Sequence, residues 1–194
     1  MSIINHKVFP SIITEIKCLD FVEIKNSLIE WVYNYQQTDN GVTFTNRGGW
    51  QSSSNFYKQD SFLQYFNYIQ TYSLSAIQFY NCNLKITNMW ININKKGNYN
   101  VSHVHPGSLI SGIFWVKIPQ NCGKLKFLSP NHFNESHLVE NVNNKIKLEH
   151  NYCDHFDMNP QEGKIILFPS HLRHLVEPNK SDEDRISIAF NLNI

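Results

Sequence analysis

The sequence predicts a mainly β, α+β domain in which a β-sandwich or barrel follows two helices. Three observations carry this reading. Apolar residues fall twice at helical spacing in the N-terminal part of the chain. From Asn83 onward the period changes to two, and short strands separated by turn residues run to the C-terminus. Strands and helices do not alternate, which argues against a doubly wound parallel sheet.

In chain order, residues 7–16 mix β-branched residues with Pro10 and suit an extended entry segment at a sheet edge. Asp20 is placed to cap the helix that follows, where Phe21, Val22, Ile24, Leu28, Trp31, Val32 and Tyr35 share a helical spacing. Thr38 to Asn55 is polar and glycine-bearing, and reads either as a solvated surface excursion or as an ordered functional loop. Trp50 in its middle favours packing. Asp60 to Phe79 repeats the helical pattern, and aromatic residues at that spacing point to core packing. Leu84, Ile86, Asn88, Trp90, Asn92 and Asn94 then alternate with Lys85, Thr87, Met89, Ile91 and Ile93, and Lys95–Asn98 makes a turn. Further strands are expected at Val101–His105, Leu109–Ile118, Lys124–Leu128, Lys145–Glu149, Gly163–Pro169, Leu172–Glu177 and Arg185–Leu192. The polar stretch from Pro130 to His150 reads as an excursion between strands.

Composition bounds the function. The chain has 194 residues, of which 41% are hydrophobic and 17% charged, so a single folded domain over 1–194 is expected rather than a disordered or membrane protein. A net charge of +1 with neutral histidines gives no electrostatic case for nucleic acid or an anionic membrane surface. Cys18, Cys82, Cys122 and Cys153 are widely spaced and suit a reducing compartment. Met1–Lys7 lacks a signal-peptide pattern, and no apolar run approaches the length of a bilayer span. A cytoplasmic protein is the expectation.

The chemistry concentrates in histidine. Of nine histidines, His6, His132, His137, His150 and His155 sit in polar, irregular contexts that suit the surface. His103 and His105 differ. On one strand they face the same way and make half of a metal site, which needs a third ligand from elsewhere. His174, within a strand and flanked by Leu175 and Val176, is the better source, with His171 at the preceding turn as a competitor. Arg185 and Ser187 share a strand face. A guanidinium facing into a barrel demands an anion, and its planar fork suits a carboxylate with the serine hydroxyl as a further donor. The alternative is a salt bridge to Asp182, Glu183 or Asp184 just upstream.

H-x-H on one strand, a distal His174 and the Arg185-x-Ser187 pair resemble the Fe(II)- and 2-oxoglutarate-dependent oxygenases. The segments Gly48–Ser52, Trp90–Asn92, Gly97 through Pro106, Ser111–Val116, Phe168–Ser170 and Arg185–Asn191 look like a small subgroup found in marine bacteria and cyanophages. The resemblance spans the chain from about Val8 to its end.

It implies a double-stranded β-helix (jelly-roll, cupin-like) core with the N-terminal helices packed on it, and an iron at the mouth of the barrel. His103 and His174 match the first and distal ligands. Arg185 and Ser187 match the pair that binds the far carboxylate of 2-oxoglutarate, and Asn100 falls where relatives place a polar cosubstrate contact. His105 stands where most relatives carry a carboxylate, so it reads either as a third imidazole ligand or as a residue behind a water that completes the sphere. The implied activity is a dioxygenase that couples O2 and 2-oxoglutarate to hydroxylation, releasing succinate and CO2. The substrate, a small molecule or a peptide, is not named by the sequence. The compartment would be the host cytoplasm if the source is viral, and a homodimer stays open. Two other readings compete: a cupin-like three-histidine metalloprotein of thiol dioxygenase or isomerase type that does not use 2-oxoglutarate, and a non-catalytic binding module on the same barrel.

Overall fold

The computed structural model describes residue 4, residues 11–131, 141–143, 145, 147 and residues 153–194. The elements run β1 (Thr14–Lys17), α1 (Phe21–Gln36), β2 (Asn46–Arg47), β3 (Trp50–Gln51), α2 (Leu63–Ala76), β4 (Lys85–Asn94), β5 (Tyr99–His103), β6 (Ile110–Lys117), β7 (Leu125–Leu128), β8 (His155–Met158), β9 (Lys164–Pro169), β10 (His174–Val176) and β11 (Arg185–Asn193). They form two antiparallel sheets that face each other, the expected jelly-roll arrangement. The larger has the order β1-β9-β6-β11-β4-β3 and the smaller β2-β5-β10-β7-β8.

The period-two alternation explains why the larger sheet is buried on both faces. Met89, Ile91 and Ile93 of β4, Phe114 and Val116 of β6, and Ile186, Ile188 and Phe190 of β11 pack under the helices against Phe21, Leu28, Val32 and Ile69. Their strand neighbours point the other way. Ile113, Trp115, Ile166, Phe168 and Ala189 meet Leu125 and Phe127 of the smaller sheet and Leu172 of the turn before β10. Each fully buried side chain of this kind contributes roughly 1.5–3 kcal/mol. β11 lies between β4 and β6 and is paired along nearly its whole length on both sides. Residues on its inner face therefore rest on the most constrained strand of the domain.

Several local expectations are corrected. Asp20 precedes α1 but makes no side-chain cap. Its carboxylate instead accepts the hydroxyls of Tyr72 at 2.7 Å and Tyr68 at 2.8 Å, which tie α2 to the start of α1. Those bonds hold the Asp20 carboxyl below its ordinary range. The Thr38–Asn55 segment is ordered. Gly41 adopts a positive φ of 73°, and a Cβ there would meet Trp50 Cδ1 at 2.6 Å. The Trp50 indole donates to the Asp39 carbonyl, and β2 and β3 pair with β5 and β4, so the segment joins the edges of both sheets. The predicted strand at Lys145–Glu149 is not formed where it is described, since Lys145 and Lys147 are helical. His155, expected in an irregular surface context, begins β8 and pairs with Asp154. Most of the Pro130–His150 excursion, with His132, His137 and His150, lies outside the described residues, as do His6 and residues 7–10.

Candidate metal centre

β5 and β10 bring the first two imidazoles together. They pair antiparallel, with His103 opposite His174. The next register pair is Val176 with Asn100, so β5 spends three residues where β10 spends two. This bulge reverses side-chain parity, and Asn100 and His103 both line the cavity between the sheets although they are three apart in sequence. The strand was expected to continue to His105 but ends at His103. His105 reaches the cavity from the following turn, with its backbone N–H bonded to the Ser170 carbonyl.

The three rings form one cluster. Ring centroids are 4.3 Å apart for His103 and His174, and 5.1 Å apart from each of these to His105. Candidate ligand atoms of the three lie within 4.8 Å of one another, close enough to share one ion. In each ring Nδ1 is already engaged. His103 donates to the Val101 carbonyl at 2.7 Å and His174 to the Leu172 carbonyl at 2.9 Å. His105 Nδ1 lies 2.7 Å from Asn191 Oδ1 and 2.8 Å from Ser111 Oγ. A carbonyl oxygen can only accept, so Nδ1 carries the proton and the Nε2 lone pair is left for a metal. Burial pushes His174 down to about 3 and His105 to about 4, and also lowers His103, so all three are neutral at pH 7. His171 is exposed and outside the cluster.

The inner face of β11 makes the rest of the wall. Arg185, Ser187 and Ala189 line a cavity open toward solvent, with their register partners Asn94, Asn92 and Trp90 of β4 beside them. Arg185 is 2% exposed. Its Nη1 donates to the carbonyls of Cys122 and Glu177, whereas its Nη2 is buried without a partner. Burial lowers its pKa to about 10, leaving it a cation at neutral pH. The upstream acids are engaged elsewhere: Asp182 with Lys96, Glu183 with Lys117, and Asp184 with the Tyr33 hydroxyl. Glu177 acts on the guanidinium through its charge, but its carboxylate lies against Lys126 and gives Nη2 no hydrogen bond. A carboxylate in the cavity would supply that direct partner and offset the cost of burying the cation. Asn100 is 7% exposed and donates to Thr45 Oγ1 at 3.2 Å.

Sequence reasoning missed the supporting layer. Ser111, Ser170 and Asn191 form a buried hydrogen-bonded group behind His105. Asn191 carried a signal, since it shares the β11 face of Arg185 and Ser187. Ser111 and Ser170 lie in segments that carry the family resemblance, but no local pattern gave them a role, because only the pairing of β6 with β9 brings them together.

A family model described as "Putative 2OG-Fe(II) oxygenase" matches residues 88–191. Curated protein sequences give no match. Among solved structures, the chain is similar to a Pseudomonas putida prolyl-4-hydroxylase, with a TM-score of 0.62 at 14% identity over 92% of this chain and 91% of that one. It is also similar to HygX from Streptomyces hygroscopicus, solved with nickel and 2-oxoglutarate, with a TM-score of 0.63 at 12% identity over 93% and 82% of the two chains. A viral collagen prolyl hydroxylase from Paramecium bursaria Chlorella virus-1, solved with 2OG, gives a TM-score of 0.58 at 13% identity over 93% and 94%. These likenesses place the two sheets in the double-stranded β-helix fold. With the family match across the histidine cluster and Arg185, the chain belongs to the 2OG-Fe(II) oxygenases, as an Fe(II)- and 2-oxoglutarate-dependent dioxygenase.

Proposed function

We propose that residues 1–194 work as one oxygenase domain in which His103, His105 and His174 hold Fe(II) and Arg185 anchors 2-oxoglutarate. The observation that carries the cosubstrate assignment is the unpartnered Arg185 Nη2, buried at the cavity wall while every acid just upstream is engaged elsewhere. Two readings lose ground on this point. A three-histidine enzyme without 2-oxoglutarate has no use for a buried guanidinium short of a partner. A binding module predicts Arg185 paired with its acidic neighbours. The donor set fits the metal: three neutral imidazoles with their Nδ1 positions already occupied are ready ligands, and imidazole suits Fe(II).

When bound, iron with 2-oxoglutarate and O2 supplies the oxidation, releasing succinate and CO2 as substrate is hydroxylated. The chain's own residues position the reactants. Arg185 fixes the far carboxylate, with Ser187 on the same face and Asn100 held by Thr45 as further polar contacts. Trp90, Trp115 and Ile113 give the cavity apolar walls that exclude water. The substrate reaches the centre from the open end and is a small molecule or a peptide. Cys18, Cys82 and Cys122 are free thiols, which supports a cytoplasmic setting.

The test is anaerobic titration with Fe(II) and 2-oxoglutarate, followed by succinate formation in air. A metal-to-ligand charge-transfer band is expected on adding 2-oxoglutarate. Its absence from iron-loaded protein would sink the assignment.

A further inference from the structure

Around the three histidines the charge is one-sided. Among the described residues, every group that supports the imidazoles is neutral: the Val101 and Leu172 carbonyls, the Asn191 amide and the Ser111 hydroxyl. The charged neighbour that acts on His103 is Arg173, which has the same sign as a metal ion. Iron centres of this kind usually take one carboxylate directly, and metal-binding histidines often have one behind them. Neither arrangement is present among the described residues.

Asn191 is where a carboxylate would most naturally stand. It is 5% exposed, and its Oδ1 receives the Ser111 hydroxyl at 2.8 Å and faces His105 Nδ1 at 2.7 Å. Ser111 in turn contacts Ser170 Oγ at 2.8 Å, and the Ser170 carbonyl receives the His105 backbone N–H. His105 is therefore held at ring and backbone by an uncharged scaffold. A divalent ion in such a cage keeps its full double charge in a partly dry site, which is costly without an anion.

We propose that metal and 2-oxoglutarate bind this protein as a coupled pair, with Asn191 setting the strength of the coupling by supporting His105 without charge. The site then holds Fe(II) weakly alone and firmly once the dianionic cosubstrate is present. The proposal rests on the three-histidine and Arg185 assignments above. By linkage, metal raises 2-oxoglutarate affinity by the same factor that 2-oxoglutarate raises metal affinity.

The experiment is anaerobic equilibrium dialysis of Fe(II) against the full chain, with and without saturating 2-oxoglutarate, repeated on Asn191→Asp. The substitution keeps an oxygen facing Ser111 and His105 and adds a negative charge behind the ring. The wild-type dissociation constant is expected to fall by roughly 10- to 100-fold with cosubstrate, within the usual range of coupling. In Asn191→Asp, iron should bind more tightly without cosubstrate, and the coupling factor should shrink. His105→Asp, which places the charge on the metal itself, should shift both quantities the same way and stands in if Asn191→Asp does not fold. Equal wild-type iron affinity with and without 2-oxoglutarate would overturn the coupling. An unchanged coupling factor in folded Asn191→Asp would overturn the role given to Asn191. Failure of the underlying assignment looks different: no charge-transfer band forms in iron-saturated protein at any 2-oxoglutarate concentration.

Discussion

His103 and His174 are register partners across β5 and β10, and their ring centroids stand 4.3 Å apart. Hydrogen bonds between the two strands hold this register, which sets both rings on one wall of the cavity. Replacing His174 with Ala should weaken Fe(II) binding by more than the ~10–100-fold that losing a ligand's supporting partner costs. His171→Ala, at an exposed residue three positions earlier, should leave the dissociation constant unchanged. Equilibrium dialysis on both variants checks this.

Arg185→Ala should separate cosubstrate from metal. Removing one partner of a buried charge pair costs about 2–5 kcal/mol, so 2-oxoglutarate affinity should fall by roughly 30-fold or more. Iron affinity measured without cosubstrate should hold. Arg185→Lys should restore little, because an ammonium cannot reproduce a planar fork that is already bonded to two carbonyls. Titrating 2-oxoglutarate into iron-loaded protein reads both variants.

The Thr45–Asn100 hydrogen bond links the Thr38–Asn55 segment to the cavity. Thr45→Val removes one such bond, worth about 0.5–1.5 kcal/mol. Its expected effect is a several-fold rise in KM for 2-oxoglutarate with little change in iron affinity. Thr45→Val combined with Asn100→Ala should cost less than the sum of the single changes, since each breaks the same contact.

Asp39 ties that segment to pH. Its carboxylate accepts the Gly41 N–H at 2.7 Å, the Ser53 N–H at 3.2 Å and the Tyr35 hydroxyl at 3.0 Å. Burial pulls its pKa up, but the hydrogen bonds outweigh that pull and hold it below the ordinary value. Since the folded pKa is depressed, the stabilisation is present above the unfolded pKa of about 3.9 and is lost as pH falls through the folded value. Hydrogen exchange at the Gly41 and Ser53 amides should therefore be protected at neutral pH and speed up, relative to the rest of the chain, on acidification below about pH 4. Asp39→Asn should remove this pH dependence.

Gly112 sits under the Phe190 ring, and a Cβ there would lie 2.2 Å from Phe190 Cζ. Both residues are on central strands, so the ring has no free direction to move. Gly112→Ala should destabilise the protein by about 1–3 kcal/mol through overpacking. A lower Tm with iron affinity intact at low temperature is the expected outcome.

The sequence by itself determined the two helices, the longer strands and the chemical types at the site. The shift from helical spacing to period two separates α1 and α2 from the strands. Alternation alone puts Trp90, Asn92 and Asn94 on one face of β4, and Arg185 and Ser187 on one face of β11. Both patterns are local, set by the geometry of one helix or one strand, and so can be read without knowing the partner. What depends on pairing between distant segments was decided only by tertiary structure. The β5 bulge that lets Asn100 and His103 face one cavity exists because β10 fixes the register there. Asp20 was placed to cap α1, but the hydroxyls of Tyr68 and Tyr72 arrive from α2 and take its carboxylate. Arg185 could have met the acids beside it, yet the fold gives those acids to Lys96, Lys117 and Tyr33 and leaves one nitrogen of this cavity-lining guanidinium without a hydrogen-bond partner. Each outcome is a competition between partners far apart in the chain, settled by which groups the packed core brings within hydrogen-bond reach.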